Sequence, residues 1–147
     1  LKAAEDPRVK NIISLASVCD FASRSSTNSD LAAWKKTGVK YVLNGRTKQK
    51  MPHFYQFYED FIENKERLNI QRAAKKITIP HLIIHGDKDT SISVNEAEKL
   101  HAWNPKSILK IIENANHVFN VSHPWTENKG SKAFEQTIKI CIDFLSQ

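Results

Sequence analysis

A chain of 147 residues with 40% apolar content has enough length and hydrophobicity to bury one real core, as an ordinary soluble globular protein does. It contains no apolar run of transmembrane length and no secretory signal pattern, so no membrane partner is expected. The formal charge of +6, from 22 basic against 16 acidic residues, invites a polyanion ligand. The basic residues are scattered as short pairs, Lys35-Lys36 and Lys75-Lys76, so a solvated surface without nucleic acid is expected.

Val9 to Val18 is mostly apolar and β-branched, follows the turn signal Asp6-Pro7-Arg8, and reads as a buried parallel strand. It ends at Cys19-Asp20-Phe21, where the C-terminal loop of a strand faces a ligand crevice. Ser23 to Ser29 is a loop and helix entry, and Asp30 to Thr37 is a short helix stopped at Gly38. Val39 to Leu43 then precedes Asn44-Gly45, the dipeptide suited to a type I′ hairpin turn, with Arg46 to Met51 as the return strand closed by Pro52. From Phe54 to about Ile70 an aromatic-rich helical pattern appears, whose rings are expected to pack on the sheet or in part to line a pocket. Gln71 to Lys76 leads into the next strand. The block from about 21 to 70 is thus a cap insertion that contains a hairpin.

Ile79-Pro80-His81-Leu82-Ile83-Ile84-His85-Gly86 reads as a second buried strand, running into the turn Asp87-Lys88-Asp89. Ser93 can cap a helix through Trp103, with Glu96 in capping-box spacing. Ser107 to Ile112 is the third strand. A last helix from about Ser131 to Leu145 places Phe134, Ile138, Cys141, Ile142 and Leu145 at three- and four-residue steps, a face expected to be buried. Three strands alternating with helices predict an α/β fold with a parallel sheet and an excursion after its first strand.

The chemistry lies in two turns. Asp89 sits past the turn that Gly86 permits, and His117 ends Asn114-Ala115-Asn116-His117 after the next strand. A helix plus a strand accounts for the separation of 28 residues, which brings both groups to the C-terminal edge of the sheet. A carboxylate there can orient an imidazole that activates a hydroxyl, so Asp89 is the candidate acid and His117 the candidate base. Asp87, nearer the strand, is expected to serve the turn. His85 is expected to be a structural strand-end imidazole bonded to backbone, and His123-Pro124 a loop-locking element. His81 and His85 are four apart on a buried strand rather than on a helix face and lack an acidic ligand cluster, so no metal is expected. With four widely spaced glycines there is no phosphate loop, and no cofactor is implied.

No Gly-x-Ser-x-Gly elbow occurs anywhere in the chain. In the chain order Ser, acid, His, the nucleophile is expected upstream of Leu1. The chain starts at Leu1 and its single methionine is Met51, which fits a partial or processed product. Cys19 and Cys141 have neither metal spacing nor disulfide density, so reduced thiols and a cytoplasmic setting are expected.

From Asp6 to Leu145 the order of elements, with DPRVKNIISLAS, NGRTKQKMP, FYQFYEDFIENKERLNI, IPHLIIHGDKDTSIS and NANHVFNVSHPW, resembles the C-terminal half of an α/β-hydrolase. It is most similar to the branch with dienelactone-hydrolase-like and prolyl-oligopeptidase-like serine hydrolases. The resemblance implies Asp89 as acid, His117 as base, Phe119 in the loop just behind the base, and hydrolysis of a small-molecule ester by the intact protein. A chain without the nucleophile is expected to be inactive alone. A peptidase of the same fold and a non-catalytic α/β association module are the alternatives. The Val9 to Val18 strand is expected to pair with the protein's own N-terminal half or, through its exposed edge, with another copy.

Overall fold

The structure, a computed structural model, describes residues 1–21, 28–45, 47–122 and 124–147. Two units are formed, one by Leu1–Asp20 with Ile70–Gln147 and the other by Phe21–Asn69. The expected loop at Ser23 to Ser29 falls largely outside the described residues, as do Arg46 and His123.

The first unit is built on a parallel sheet of β1 (Ile12–Leu15), β4 (His81–Gly86) and β5 (Ile108–Ile112), in the order β1-β4-β5. β4 is central because its sequence is apolar on both faces, and all six of its residues are buried. The period of two then sorts its side chains. Leu82 and Ile84 join Ile112, Ala115, Phe119, Ala133 and Phe144 on one face, whereas Ile83 joins Ala74, Ala97 and Leu100 on the other. The first face is covered by α5 (Lys132–Leu145), the second by α3 (Ile70–Lys76) and α4 (Val94–Trp103). Each fully buried aliphatic side chain of β4 contributes about 1.5–3 kcal/mol.

Several expected boundaries move, each for a local reason. β1 is four residues rather than Val9 to Val18, because Val9 is tied into the preceding turn by its N–H to Asp6 (3.1 Å) and Ala16 takes φ 45°. Hydrogen bonds from Ile12 to Pro80 (3.0 Å) and from Ala16 to Ile84 (2.9 Å) flank the paired stretch. Residues 70–76 are helical rather than a lead-in, with Ala73 and Ala74 buried. Ser93 caps α4 through Asn95, while Glu96 Oε2 accepts the Cys19 backbone N–H at 2.8 Å.

The largest correction concerns α5, which Ser131 caps by accepting the Phe134 N–H at 3.1 Å. Its buried face is Ala133, Thr137 and Phe144, with Ile140 and Cys141 packed alongside, and the stripe Phe134, Ile138, Ile142 and Leu145 is exposed. Thr137 is accommodated inside because its hydroxyl donates to the Ala133 carbonyl at 2.8 Å.

In the second unit α1 (Asn28–Thr37) leads through Gly38, at φ 71°, into an antiparallel hairpin of β2 (Val39–Leu43) and β3 (Lys50–Phe54). Asn44-Gly45 does not make the expected two-residue turn. The connection is 44–49, in which Asn44 Oδ1 accepts from the Thr47 N–H (3.1 Å) and Lys48 takes the left-handed conformation. An asparagine side chain that can bond its own loop competes with the tight turn and here wins. Pro52 lies inside β3, opposite Tyr41, rather than ending it. The bonds Asn44 N–Gln49 O and Tyr55 N–Gly38 O set an alternation that makes Tyr41–Pro52 a non-bonded pair, so the ladder loses nothing to the missing N–H.

The long helix expected from Phe54 is the short α2 (Gln56–Glu63), ended where the Asn64 side chain donates to the Asp60 carbonyl at 2.9 Å. Trp34 is the buried centre of this unit. Its Nε1 donates to the His53 carbonyl at 2.8 Å, Tyr55 meets it edge-on at 5.6 Å, and Lys40 Nζ lies 3.8 Å over its ring. Phe54 and Phe57, expected to pack, are exposed.

Candidate active site

β4 ends at Gly86, and the next two N–H groups leave the sheet by crossing to the neighbouring turn. Asp87 N donates to the Ile112 carbonyl at 3.1 Å and Lys88 N to the Ala115 carbonyl at 3.0 Å. This approach needs a glycine, since a Cβ at position 86 lies 2.2 Å from the Ala115 oxygen. The acid-bearing and histidine-bearing turns are thereby joined backbone to backbone before any side chain is considered.

Asp89 then turns inward, its side chain fully buried. Oδ1 accepts from the N–H groups of Ser91 (2.8 Å) and Ile92 (2.9 Å). Oδ2 accepts from His117 Nδ1 at 2.8 Å. Burial pushes the Asp89 carboxyl up, but the Ile92 N–H, the His117 ring and the Ser91 N–H together outweigh it and hold the group below its ordinary value. The site therefore keeps an ionised carboxylate under the protein surface.

His117 sits in a turn that its asparagines shape. Asn116 Oδ1 accepts from Val118 N (3.1 Å) and Asn120 N (2.9 Å), and Asn120 Oδ1 accepts in return from Asn116 N (3.0 Å). The Asn120 amide donates to the Asn114 carbonyl at 2.9 Å. Asn114, Phe119 and Asn120 all take positive φ, between 53° and 61°. For asparagine that region is accessible; for phenylalanine it is strained, and it is held by burial of the Phe119 ring in the core and by the Ser131 hydroxyl, which donates to the Phe119 carbonyl. The His117 side chain is 42% exposed. With Nδ1–H given to Asp89, Nε2 is left as the basic nitrogen of a half-exposed ring, the arrangement a general base needs.

Thus the structure brings Asp89 and His117 together and places Phe119 two residues after the histidine, with its ring in the core. Asp87 is exposed and serves the turn through its backbone. His85 is buried at the end of β4 with Nε2 2.9 Å from the Ile92 carbonyl. His81 is at the other end of the strand, 2.9 Å from Ser14 Oγ, and burial lowers its pKa. The two histidines do not converge. Sequence reasoning missed the Asn116–Asn120 clamp and the Ser91 and Ile92 donors. The signal for the clamp was present, three asparagines within seven positions around a histidine.

The chain matches no family model. It is 30% identical over 108 residues to monoacylglycerol lipase abhd6-A of Xenopus laevis, an alignment covering 71% of this chain and 29% of the relative. Among solved structures it is similar to the monoacylglycerol lipase of Paleococcus ferrophilus, with a TM-score of 0.62, 14% identity, and coverage of 98% of this chain and 62% of that one. The esterase domain of a Rhodothermus marinus protein gives a TM-score of 0.57 at 17% identity, covering 97% and 54%. MGS-M2, an α/β-hydrolase enzyme from a Medee basin deep-sea metagenome library, gives 0.54 at 18%, covering 99% and 59%. The chain therefore spans under a third of the curated relative and between 54% and 62% of these solved chains. A parallel sheet with helices on both faces, shared over nearly all of this chain with such enzymes, shows that the chain has the α/β-hydrolase fold over the part of those structures that it spans.

Proposed function

We propose that the chain supplies the acid and the base of a serine hydrolase acting on carboxylic esters, and that the attacking serine lies on a part of the fold outside these residues. The single observation that carries the reading is the 2.8 Å bond from His117 Nδ1 to a fully buried, doubly backbone-bonded Asp89. The absence of a Gly-x-Ser-x-Gly elbow from the sequence, and the share of the solved chains that is covered, support the placement of the serine.

In this reading His117 Nε2 takes the hydroxyl proton as the serine oxygen attacks the ester carbonyl. Asp89 keeps the ring in the tautomer that leaves Nε2 free, and stabilises the imidazolium that forms. The proton then passes from Nε2 to the leaving alkoxide oxygen. A water molecule, deprotonated by the same nitrogen, then attacks the acyl carbonyl, and Nε2 returns that proton to the serine oxygen as the carboxylic acid leaves. No metal or cofactor takes part. The free thiols Cys19 and Cys141 fit a cytoplasmic setting.

The test uses the protein with its serine-bearing portion, assayed on short-chain p-nitrophenyl esters and on peptide anilides. His117→Ala is expected to lower kcat on esters by about 10⁴-fold, the scale of loss for a triad member. Equal turnover with and without the imidazole would end the proposal, and anilide turnover exceeding ester turnover would move it to a peptidase.

A further inference from the structure

We propose that His85 is the positioning residue of the acid: it fixes the 89–92 turn and holds Asp89 Oδ2 toward His117. The proposal rests on the hydrolase reading above. His85 lies in β4 one residue before Gly86 and is wholly buried. Its Nε2 is 2.9 Å from the Ile92 carbonyl oxygen and 3.2 Å from Asp89 Oδ2. Both neighbours are acceptors, so Nε2 carries the hydrogen.

The other ring nitrogen explains why packing alone does not account for this residue. Nδ1 is buried and has no hydrogen-bond partner among the described residues. An apolar side chain of similar volume would fill the same space without hiding an unmet acceptor. What the imidazole adds is one N–H that is hydrogen-bonded to the Ile92 carbonyl and lies close to the carboxylate of the acid. It secures the carbonyl of Ile92, whose own N–H donates to Asp89 Oδ1 at 2.9 Å. The same N–H lies beside Oδ2, the oxygen that faces His117.

The two backbone donors on Oδ1 locate one corner of the carboxylate but leave it free to turn about that corner. Oδ2 then depends on His117 and His85. Because the His117 ring is half exposed and able to swing outward, the fixed imidazole is the member that keeps Oδ2 in place when the ring moves. His85 does not touch the reacting atoms; it acts through Asp89 and Ile92.

The readout is the low-field proton resonance of His117 Nδ1–H in the full chain, with its exchange rate with water. In His85→Met the donor is gone and the volume is nearly kept, so the resonance broadens and exchange quickens by about tenfold, one power of ten in the opening equilibrium. In His85→Gln an amide N–H reaches the place of Nε2 and most of the effect is reversed. A purely packing role predicts that Met and Gln behave alike, and that result, or an unchanged resonance in His85→Met, overturns the proposal. Should the Met variant not fold, the long-range proton–nitrogen spectrum of the unsubstituted chain decides: an Nε2-protonated His85 sustains the proposal and an Nδ1-protonated one ends it. Asp89→Asn separates the two levels, because a resonance that survives it removes the acid–base pair itself, whereas a resonance lost there but untouched by His85→Met removes only the role of His85.

Discussion

Gly86→Ala is the substitution by which the architecture of the site is most directly tested. A Cβ at this position falls 2.2 Å from the Ala115 oxygen, 2.7 Å from its carbonyl carbon and 3.0 Å from its Cβ, where ordinary contact begins at 3.4 Å. The Ala115 turn must therefore retreat by about 1.2 Å, and the obstacle is backbone, which has no flexible end to yield. Retreat strains the Lys88–Ala115 and Asp87–Ile112 bonds, at 3.0 and 3.1 Å. Overpacking costs about 1–3 kcal/mol and a lost backbone bond about 1 kcal/mol, so unfolding free energy is expected to fall by roughly 2–4 kcal/mol. Urea denaturation followed by circular dichroism measures it, as a fall in midpoint of about 1–2 M. Two residues beyond Ala115, His117 is carried along, and a displacement near 1 Å is expected to cost up to about 10²-fold in the ester turnover proposed above. Gly45→Ala is the matched control, since nothing lies within 4 Å of its added methyl. If the two alanine variants melt at the same urea concentration, the close-approach argument is wrong.

Three further outcomes follow from other parts of the structure. Asn120→Ala removes both bonds of the clamp that its side chain makes and places a non-asparagine residue at φ 61°, so a loss of about 2 kcal/mol is expected, with Asn120→Gly recovering the backbone share of it; equal stabilities for Ala and Gly would refute the strain component. The Asp89 carboxyl is held below its ordinary value of 3.8 in the folded chain, so the unfolded chain binds the extra proton between the two values and stability there rises with pH. Its contribution is fully present above 3.8 and is lost as pH falls through the lower folded value; Asp89→Asn should flatten that part of the stability curve, and an unchanged acid slope counts against the buried-carboxylate account. Among the described residues β1 pairs only with β4, and α5 exposes Phe134, Ile138, Ile142 and Leu145, so light scattering should show masses above 16.8 kDa at micromolar concentration unless another polypeptide covers these surfaces. A stable monomer in the isolated chain would remove that expectation.

Much of the site was legible because its signals are local. An apolar run that ends in His-Gly-Asp reads as a buried strand entering a turn, a weak signal alone that gains weight because the second turn lies one helix and one strand further on. The faces of α5 were not legible for a reason that lies in the helix itself. It carries two apolar arcs, one through Phe134, Ile138 and Ile142 and one through Ala133, Ile140 and Phe144, and the period of 3.6 is satisfied by either. The bulkier arc attracts the reading, yet the sheet accepts the smaller one, with Thr137 hidden by its bond to the preceding turn. The hairpin failed differently. Asn-Gly specifies a tight turn only where the asparagine side chain has no better use, and Asn44 caps its own loop. The length of β1 was misjudged because propensity marks which residues could pair, while pairing ends where Ala16 leaves the extended region.

The two members of the pair are held in opposite ways, and the difference suits their tasks. Asp89 has to remain charged while buried, so it is placed on a turn closed by Gly86 and bonded by backbone N–H groups that no side-chain motion removes. In the proposed reaction His117 exchanges a proton with a group outside the chain, and its half-exposed ring suits that task. Exposure alone would leave it mobile. The asparagine clamp and the buried Phe119 restrain the backbone on both sides of it, leaving the side-chain torsions as the ring's main freedom, and the bond to Asp89 selects among those. Strain at Phe119 is tolerated because the core that buries its ring is the same core that packs β4, whose C-terminal end carries the acid turn. Asp89 and His117 are therefore set by one packed layer, and a change that loosens that layer acts on the distance between Oδ2 and Nδ1.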